Sequence, residues 1–183
     1  EDKVKTVSCM ATKRGGYVYD IADRSDIEVG IMHTEKDTII KIINSFSIPD
    51  PRIRQHWYQI FGTNGQYEMK RAGWDSGKVW FNDGKMQDYE PITYDMWKVE
   101  NASEEAAAGA HWGLDYYPFY SFAKSILEDG PLEMDVYKAA EASAPGIIAG
   151  ISAEYEGLPF EVPNFRPGAE RKLGEPPETY KAK

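Results

Sequence analysis

Through residue 81 the apolar positions recur with a period of two. Val4, Thr6, Ser8 and Met10 alternate with Lys5, Val7, Cys9 and Ala11. Successive side chains of a strand point to opposite faces, so apolar residues in both sets predict an interior strand. Ile27, Val29 and Ile31 alternate with Glu28 and Gly30, and residues 38–43 are rich in β-branched side chains that suit a pleated surface. Glu35-Lys36-Asp37 between these runs predicts the connecting turn. Pro49-Asp50-Pro51 interrupts the pattern and Arg54 to Phe61 resumes it. Asn64-Gly65 then predicts a tight primed turn, after which Gln66 to Arg71 returns antiparallel. Lys78 to Asn82 predicts a further strand ending at Asp83-Gly84.

The period changes after Ala102. Phe119, Phe122, Ala123 and Ile126 fall at helical spacing, and Asp129-Gly130-Pro131 supplies the stop. Asp135 is the expected N-cap of a second helix, which carries Val136, Ala139, Ala140, Ser143 and Ile147 on one side. That helix continues through Ile151 and Tyr155 and meets Gly157, a residue able to take the left-handed conformation past a helix end. Pro159 to Phe165 predicts a short, edge-like strand. Strands first and helices afterwards predict an α+β fold, a mostly antiparallel open β-sheet with helices on one face.

The chain has 183 residues, 42% of them hydrophobic, enough for one core. A single α+β domain is expected over residues 1–168, followed by a polar tail at 169–183 that contains Pro176 and Pro177. The formal net charge of −9 argues against a nucleic-acid partner, because displacing phosphate counterions needs clustered Lys and Arg. Cys9 is the one cysteine, so no intrachain disulfide can form. Cytoplasmic and bacterial periplasmic locations both stay open. No apolar run reaches transmembrane length, so no membrane span is expected.

The densest chemistry lies between Ala110 and Gly168. His111-Trp112-Gly113-Leu114-Asp115-Tyr116 is a polar turn leading into the first helix. Asp135-Val136-Tyr137-Lys138-Ala139-Ala140 opens the second, and Pro159 to Phe165 follows it. In this order the segments resemble the C-terminal end of the Gfo/Idh/MocA oxidoreductases, and within them the branch that includes NAD-dependent alpha-N-acetylgalactosaminidases. The stretch from Gln59 to Gly65 resembles the apolar-Gly-Thr-x-Gly hairpin of the same family. The resemblance covers most of the chain from about Val4 to Gly168.

The family's nucleotide-binding signature, Gly-x-Gly-x-x-Gly between a strand and a helix, does not occur in this sequence, nor does its Glu-Lys-Pro segment or its Asp-x-x-x-His helix. The resemblance therefore implies a separated C-terminal domain, the substrate-binding and oligomerisation part of an NAD(P)-dependent sugar oxidoreductase. NAD or NADP would be held mainly by an N-terminal nucleotide-binding domain outside the chain. An NAD-requiring glycoside hydrolase of the same superfamily is the alternative, and a noncatalytic carbohydrate-binding or assembly module is a third reading from a different class. The isolated chain is expected to be inactive. Its expected partners are a sugar or sugar derivative, its own nucleotide-binding domain, and further copies of itself through the uncovered sheet face.

His111 is the candidate catalytic residue, since an imidazole exchanges protons near neutral pH and the carboxylate of Asp115 could fix its tautomer. A helix-start cap is the structural alternative for this pair. Asp115, Tyr116, Trp112, Trp74 and Arg54 are the candidate substrate-binding residues. Flat indole faces match the C–H face of a pyranose, although Trp is equally an ordinary core residue. Arg54 alternates with Arg52 and His56 on one strand face, which could meet a sugar or a cofactor phosphate or else form a solvated edge near Pro51. His33 and His56 lack the convergent spacing of metal ligands, and no metal is expected.

Overall fold

The structure, a computed structural model, describes residues 2–15, 25–45, 58–70, 74–92, 103–108 and 115–169. These fall into two compact units, one from Glu1–Pro49 with Leu132–Lys183 and the other from Asp50–Pro131. Each carries its own four-stranded sheet, and every strand pair is antiparallel. The fold is α+β as the strand-then-helix order implies, but the strands form two sheets where the sequence pattern suggested one.

The first unit contains β1 (Val4–Ala11), β2 (Glu28–Thr34), β3 (Ile39–Asn44), the long helix described below, and a final strand, Phe160–Glu161. In the sheet, β3 lies beside β2, β2 beside β1, and β1 beside the final strand. β1 is thus interior, and the last strand is an edge. Register puts Val7 opposite Met32 and Phe160, and Met32 opposite Ile40. The buried core consists of Val7, Met32, Phe160 and Ile148 of the helix, with Val4, Ile40, Ile151, Tyr155 and Leu158 packed around it. The other face carries Met10, Ile31, Ile39 and Ile43, all exposed.

The second unit begins with β4 (Gln59–Gly62), β5 (Gly65–Glu68), β6 (Lys78–Phe81) and β7 (Glu90–Pro91), an antiparallel meander. Gly62 pairs with Gly65, so Thr63-Asn64 is the hairpin loop rather than Asn64-Gly65. Neither loop residue takes a positive φ, so the turn is not of the primed type. Gly65 is needed for closeness instead: a Cβ there would stand 2.7 Å from the Trp80 carbonyl oxygen. The loop is held from outside, because the Asn82 N–H donates to the Asn64 carbonyl at 3.0 Å. Helices α1 (Glu104–Ala107) and α2 (Tyr116–Leu127) complete this unit.

α2 ends where the sequence indicated, with Asp129 in the left-handed region at φ 50° and the Gly130 N–H donating to the Ser125 carbonyl. Its expected inner stripe is another matter. Phe119, Phe122, Ala123 and Ile126 are exposed, and no residue of α2 is buried. Helical period identifies a stripe, but burial needs a partner surface, and none covers this stripe among the described residues.

The long helix, α3 (Val136–Glu154), starts at Asp135, whose side chain accepts from the Tyr137 and Lys138 N–H groups at 2.8 Å each. It buries Ala144, Pro145, Ile148 and Ser152, whereas Val136, Ala139, Ser143 and Ile147 stay exposed. The inner stripe is therefore rotated from the one the apolar residues suggested. Ser152 explains the choice. It is completely buried; its Oγ accepts from the Cys9 N–H at 2.8 Å and its hydroxyl donates to the Leu158 carbonyl at 2.6 Å. The final strand, β8 (Phe160–Glu161), pairs only with Thr6 and Val7, so the β1 edge beyond them lacks a strand partner on that side. Ser8 donates its hydroxyl to the Gly157 carbonyl at 2.6 Å and Ser152 receives Cys9. Between helix and strand the chain turns through Glu156 (φ 56°) and Gly157 (φ 90°), with Gly157 N–H to Ser152 O and Glu156 N–H to Ala153 O bonds closing the helix end.

Replacing Ser152 with Ala removes both bonds and deprives the buried Cys9 N–H and the part-buried Leu158 carbonyl of their partner. Unfolding in urea should show a loss of about 1–3 kcal/mol; a loss within about 0.5 kcal/mol, the range of an ordinary surface change, would contradict this role.

Acid should weaken the same unit. The N–H groups of Lys138 and Tyr137, with the charges of Arg166 and Lys138, hold the Asp135 carboxyl below its usual range. The Arg166 guanidinium, bonded to both Glu141 oxygens at 2.9 Å, does the same for Glu141. Folded-state pKa values lower than unfolded ones mean stability that is fully present above the unfolded values, about 4, and lost as pH falls through the folded ones. Thermal melts below about pH 4 should fall less steeply in a Glu141→Gln, Asp135→Asn double variant than in the parent chain.

Candidate functional site

Of the six candidate residues, the described part of the second unit contains Asp115, Tyr116 and Trp74. His111, Trp112 and Arg54 lie outside the described residues, as do Arg52 and His56. Asp115 occupies the N-cap position of α2 with helical backbone angles, φ −70° and ψ −22°, and makes no side-chain cap bond. A good N-cap residue is extended and accepts from the second or third helical N–H, so Asp115 is not serving as one. Tyr116 opens the helix and is half-buried. Its ring stacks on Tyr120 at 5.7 Å and 16° and meets Tyr117 edge-on at 5.5 Å. Tyr120 was not among the candidates, although its spacing of four from Tyr116 puts the two rings on one helix face. Trp74 is 89% exposed and makes no ring contact among the described residues.

The sheet of this unit brings together side chains that the sequence reading did not connect. Gln66 lies opposite both Phe61 and Trp80, and the Tyr89 hydroxyl donates to the Gln66 side-chain carbonyl. On the same face, Gln59 donates to Glu68 at 3.1 Å. Tyr89 is twenty-three residues from Gln66, and only the meander's register aligns them.

Among the described residues, no group of three or more His, Cys, Asp and Glu side chains could hold a metal ion. His33 pairs with Asp37 at 2.7 Å on a hairpin tip. Cys9 is buried; that burial, with the nearby Glu28 charge, pushes its thiol pKa up, which keeps it protonated and unsuited to nucleophilic work.

A dinucleotide needs free N–H groups at a helix start behind a glycine turn. The first-turn N–H groups of α3 are already taken by the Asp135 carboxylate, itself an anion. At the start of α2, Asp115 adds negative charge and Pro118, the third helical residue, has no N–H. Neither helix start fits a pyrophosphate. No helix among the described residues is long and apolar enough to cross a membrane.

A family model described as glycosyl hydrolase 109, C-terminal domain, matches residues 19–172. A glycosyl hydrolase family 109 protein from Solibacter usitatus is 26% identical over 157 residues, covering 81% of this chain and 34% of that protein. An oxidoreductase from Agrobacterium radiobacter, solved in complex with NAD+, L-tartaric acid and magnesium, matches with a TM-score of 0.64 at 12% identity over 87% of this chain and 44% of its own. A levoglucosan dehydrogenase in complex with NADH and L-sorbose matches with a TM-score of 0.62 at 12% identity, over 89% and 46%. At such identity the two structures establish the fold. The chain spans about a third of the Solibacter protein and less than half of either structure.

Calorimetric titration of the isolated chain with NAD or NADP should give no binding heat. Micromolar affinity would mean that a phosphate site exists in this part of the protein after all.

Proposed function

The chain belongs to the glycosyl hydrolase 109 C-terminal domain family, and on that premise we propose that it forms the substrate-side and oligomerisation domain of an NAD-requiring glycoside hydrolase. The match across residues 19–172 carries this reading. The fold is that of the C-terminal domain of Gfo/Idh/MocA-type oxidoreductases. In the proposed enzyme the cofactor belongs to a nucleotide-binding domain joined to this one, and a glycoside of N-acetylgalactosamine is the substrate. His111 carries the proton to or from the reacting sugar, and Asp115 orients it. Tyr116, Trp112 and Trp74 hold the sugar ring by its apolar face, and Arg54 anchors a polar group of the substrate or a cofactor phosphate. The second reading, a sugar dehydrogenase, draws on the levoglucosan dehydrogenase among the structural neighbours.

Self-association belongs to the same proposal. α3 covers one face of the first sheet, while Met10, Ile31, Ile39 and Ile43 stand exposed on the other. Exposed apolar surface of this kind is usually an interface, and a two-fold dimer buries one patch with its own copy. Light scattering over a dilution series should find a dimer; a monomer at micromolar concentration would remove this part of the reading.

The reaction is tested with the protein in which a nucleotide-binding domain precedes this chain. With p-nitrophenyl α-N-acetylgalactosaminide it should release nitrophenol only when NAD is present, without net accumulation of NADH. Net NADH formation from a free sugar would favour the dehydrogenase, and neither outcome would sink both readings. His111→Ala should lower turnover by about a hundredfold or more while leaving the melting temperature nearly unchanged. Full turnover in that variant would make His111 a structural residue.

A further inference from the structure

One face of the second sheet gathers polar groups around an exposed aromatic ring. Phe61 is 70% exposed, and its nearest neighbours on the face are amides. Gln59 is two residues away on β4, and Gln66 is directly opposite on β5. The two glutamines are committed in opposite senses. Gln59 uses its amide N–H on Glu68, which leaves its carbonyl as an acceptor. Gln66 uses its carbonyl on the Tyr89 hydroxyl, which leaves its N–H groups as donors. Neither remaining group has a partner among the described residues. The indole of Trp80, opposite Gln66 on the next strand, is fixed by its N–H bond to the Met86 carbonyl at 3.3 Å.

A flat, exposed aromatic ring with an amide donor on one side and an amide acceptor on the other matches a neutral sugar. A pyranose has a C–H face that lies on such a ring, and hydroxyls at its edge that both accept and donate. The charge of the face agrees. Lys78, opposite Glu68, is ion-paired with Asp75 at 3.5 Å, so this cation of the face is already matched by a carboxylate. We propose that this face is a sugar-binding surface, with Phe61 as the stacking platform and Gln59 and Gln66 as the hydrogen-bonding pair. It rests on the reading of the domain as the sugar-handling part of its enzyme, and it extends that reading to the sheet face around Phe61.

The whole chain, without cofactor, can be tested by saturation-transfer NMR and titration with N-acetylgalactosamine, galactose and, as an anionic control, N-acetylneuraminic acid. The two neutral sugars should receive saturation and the anionic one much less. Phe61→Ala should weaken binding about tenfold, the loss of one aromatic platform. Gln66→Ala should weaken it by several-fold, and both variants should keep the parent melting temperature. Absence of transfer to either neutral sugar, equal binding of the anionic one, or unchanged affinity in a folded Phe61→Ala chain would each overturn the proposal. So would a dimer that buries Phe61 in place of sugar. Because this assay needs no NAD and no turnover, it can fail while the glycosidase reading survives, and the reverse.

Discussion

The buried hydroxyl of Ser152 is the constraint on which the first unit depends. β8 is too short to finish the edge of β1, and an interior strand with an unpaired, buried N–H would be costly. Ser152 meets that N–H from the helix and donates its own hydroxyl to the Leu158 carbonyl in the chain leaving the helix. One side chain thereby ties helix, turn and strand together and fixes which stripe of α3 faces the sheet. The apolar core of Val7, Met32, Ile148 and Phe160 forms around that alignment. Gly157 follows from the same closeness, since a Cβ there would come within 3.1 Å of Met10.

Charge placement at the start of α3 leaves no room for a phosphate there. An Asp cap stabilises α3 because its carboxylate satisfies N–H groups at the positive end of the helix dipole. The same carboxylate occupies the place a phosphate would need.

The two sheets differ in what they leave open. In the first, the uncovered face is apolar, with Met10, Ile31, Ile39 and Ile43, and a protein surface is its natural complement. In the second, Gln59, Gln66, Glu68 and Tyr89 are bonded in pairs around Phe61 and Trp80. Amide and aromatic groups in that arrangement prefer a ligand that is wet on its edges and dry on one face.

Much of the local structure is determined by the sequence alone. The span of β1, the turn at Glu35 to Asp37, the Asp135 cap and the helix end near Gly157 all follow from period, capping and turn chemistry, which act within a few residues. The resemblance carried by residues 111–116 and the segments after them led to the observed fold, that of the C-terminal domain of Gfo/Idh/MocA-type oxidoreductases. Tertiary structure decided the rest. It divided the strands into two sheets, turned α3 so that Ser152 and not Ile147 faces inward, and left the Phe119 to Ile126 stripe of α2 exposed. It also moved the hairpin loop to Thr63-Asn64, because Gly65 is held against the Trp80 carbonyl. Period shows that a stripe exists, but which stripe is buried depends on partners far away in the chain. The pairing of Gln66 with Tyr89 is of that kind, since only the register of a three-strand meander brings the two side chains within hydrogen-bonding reach.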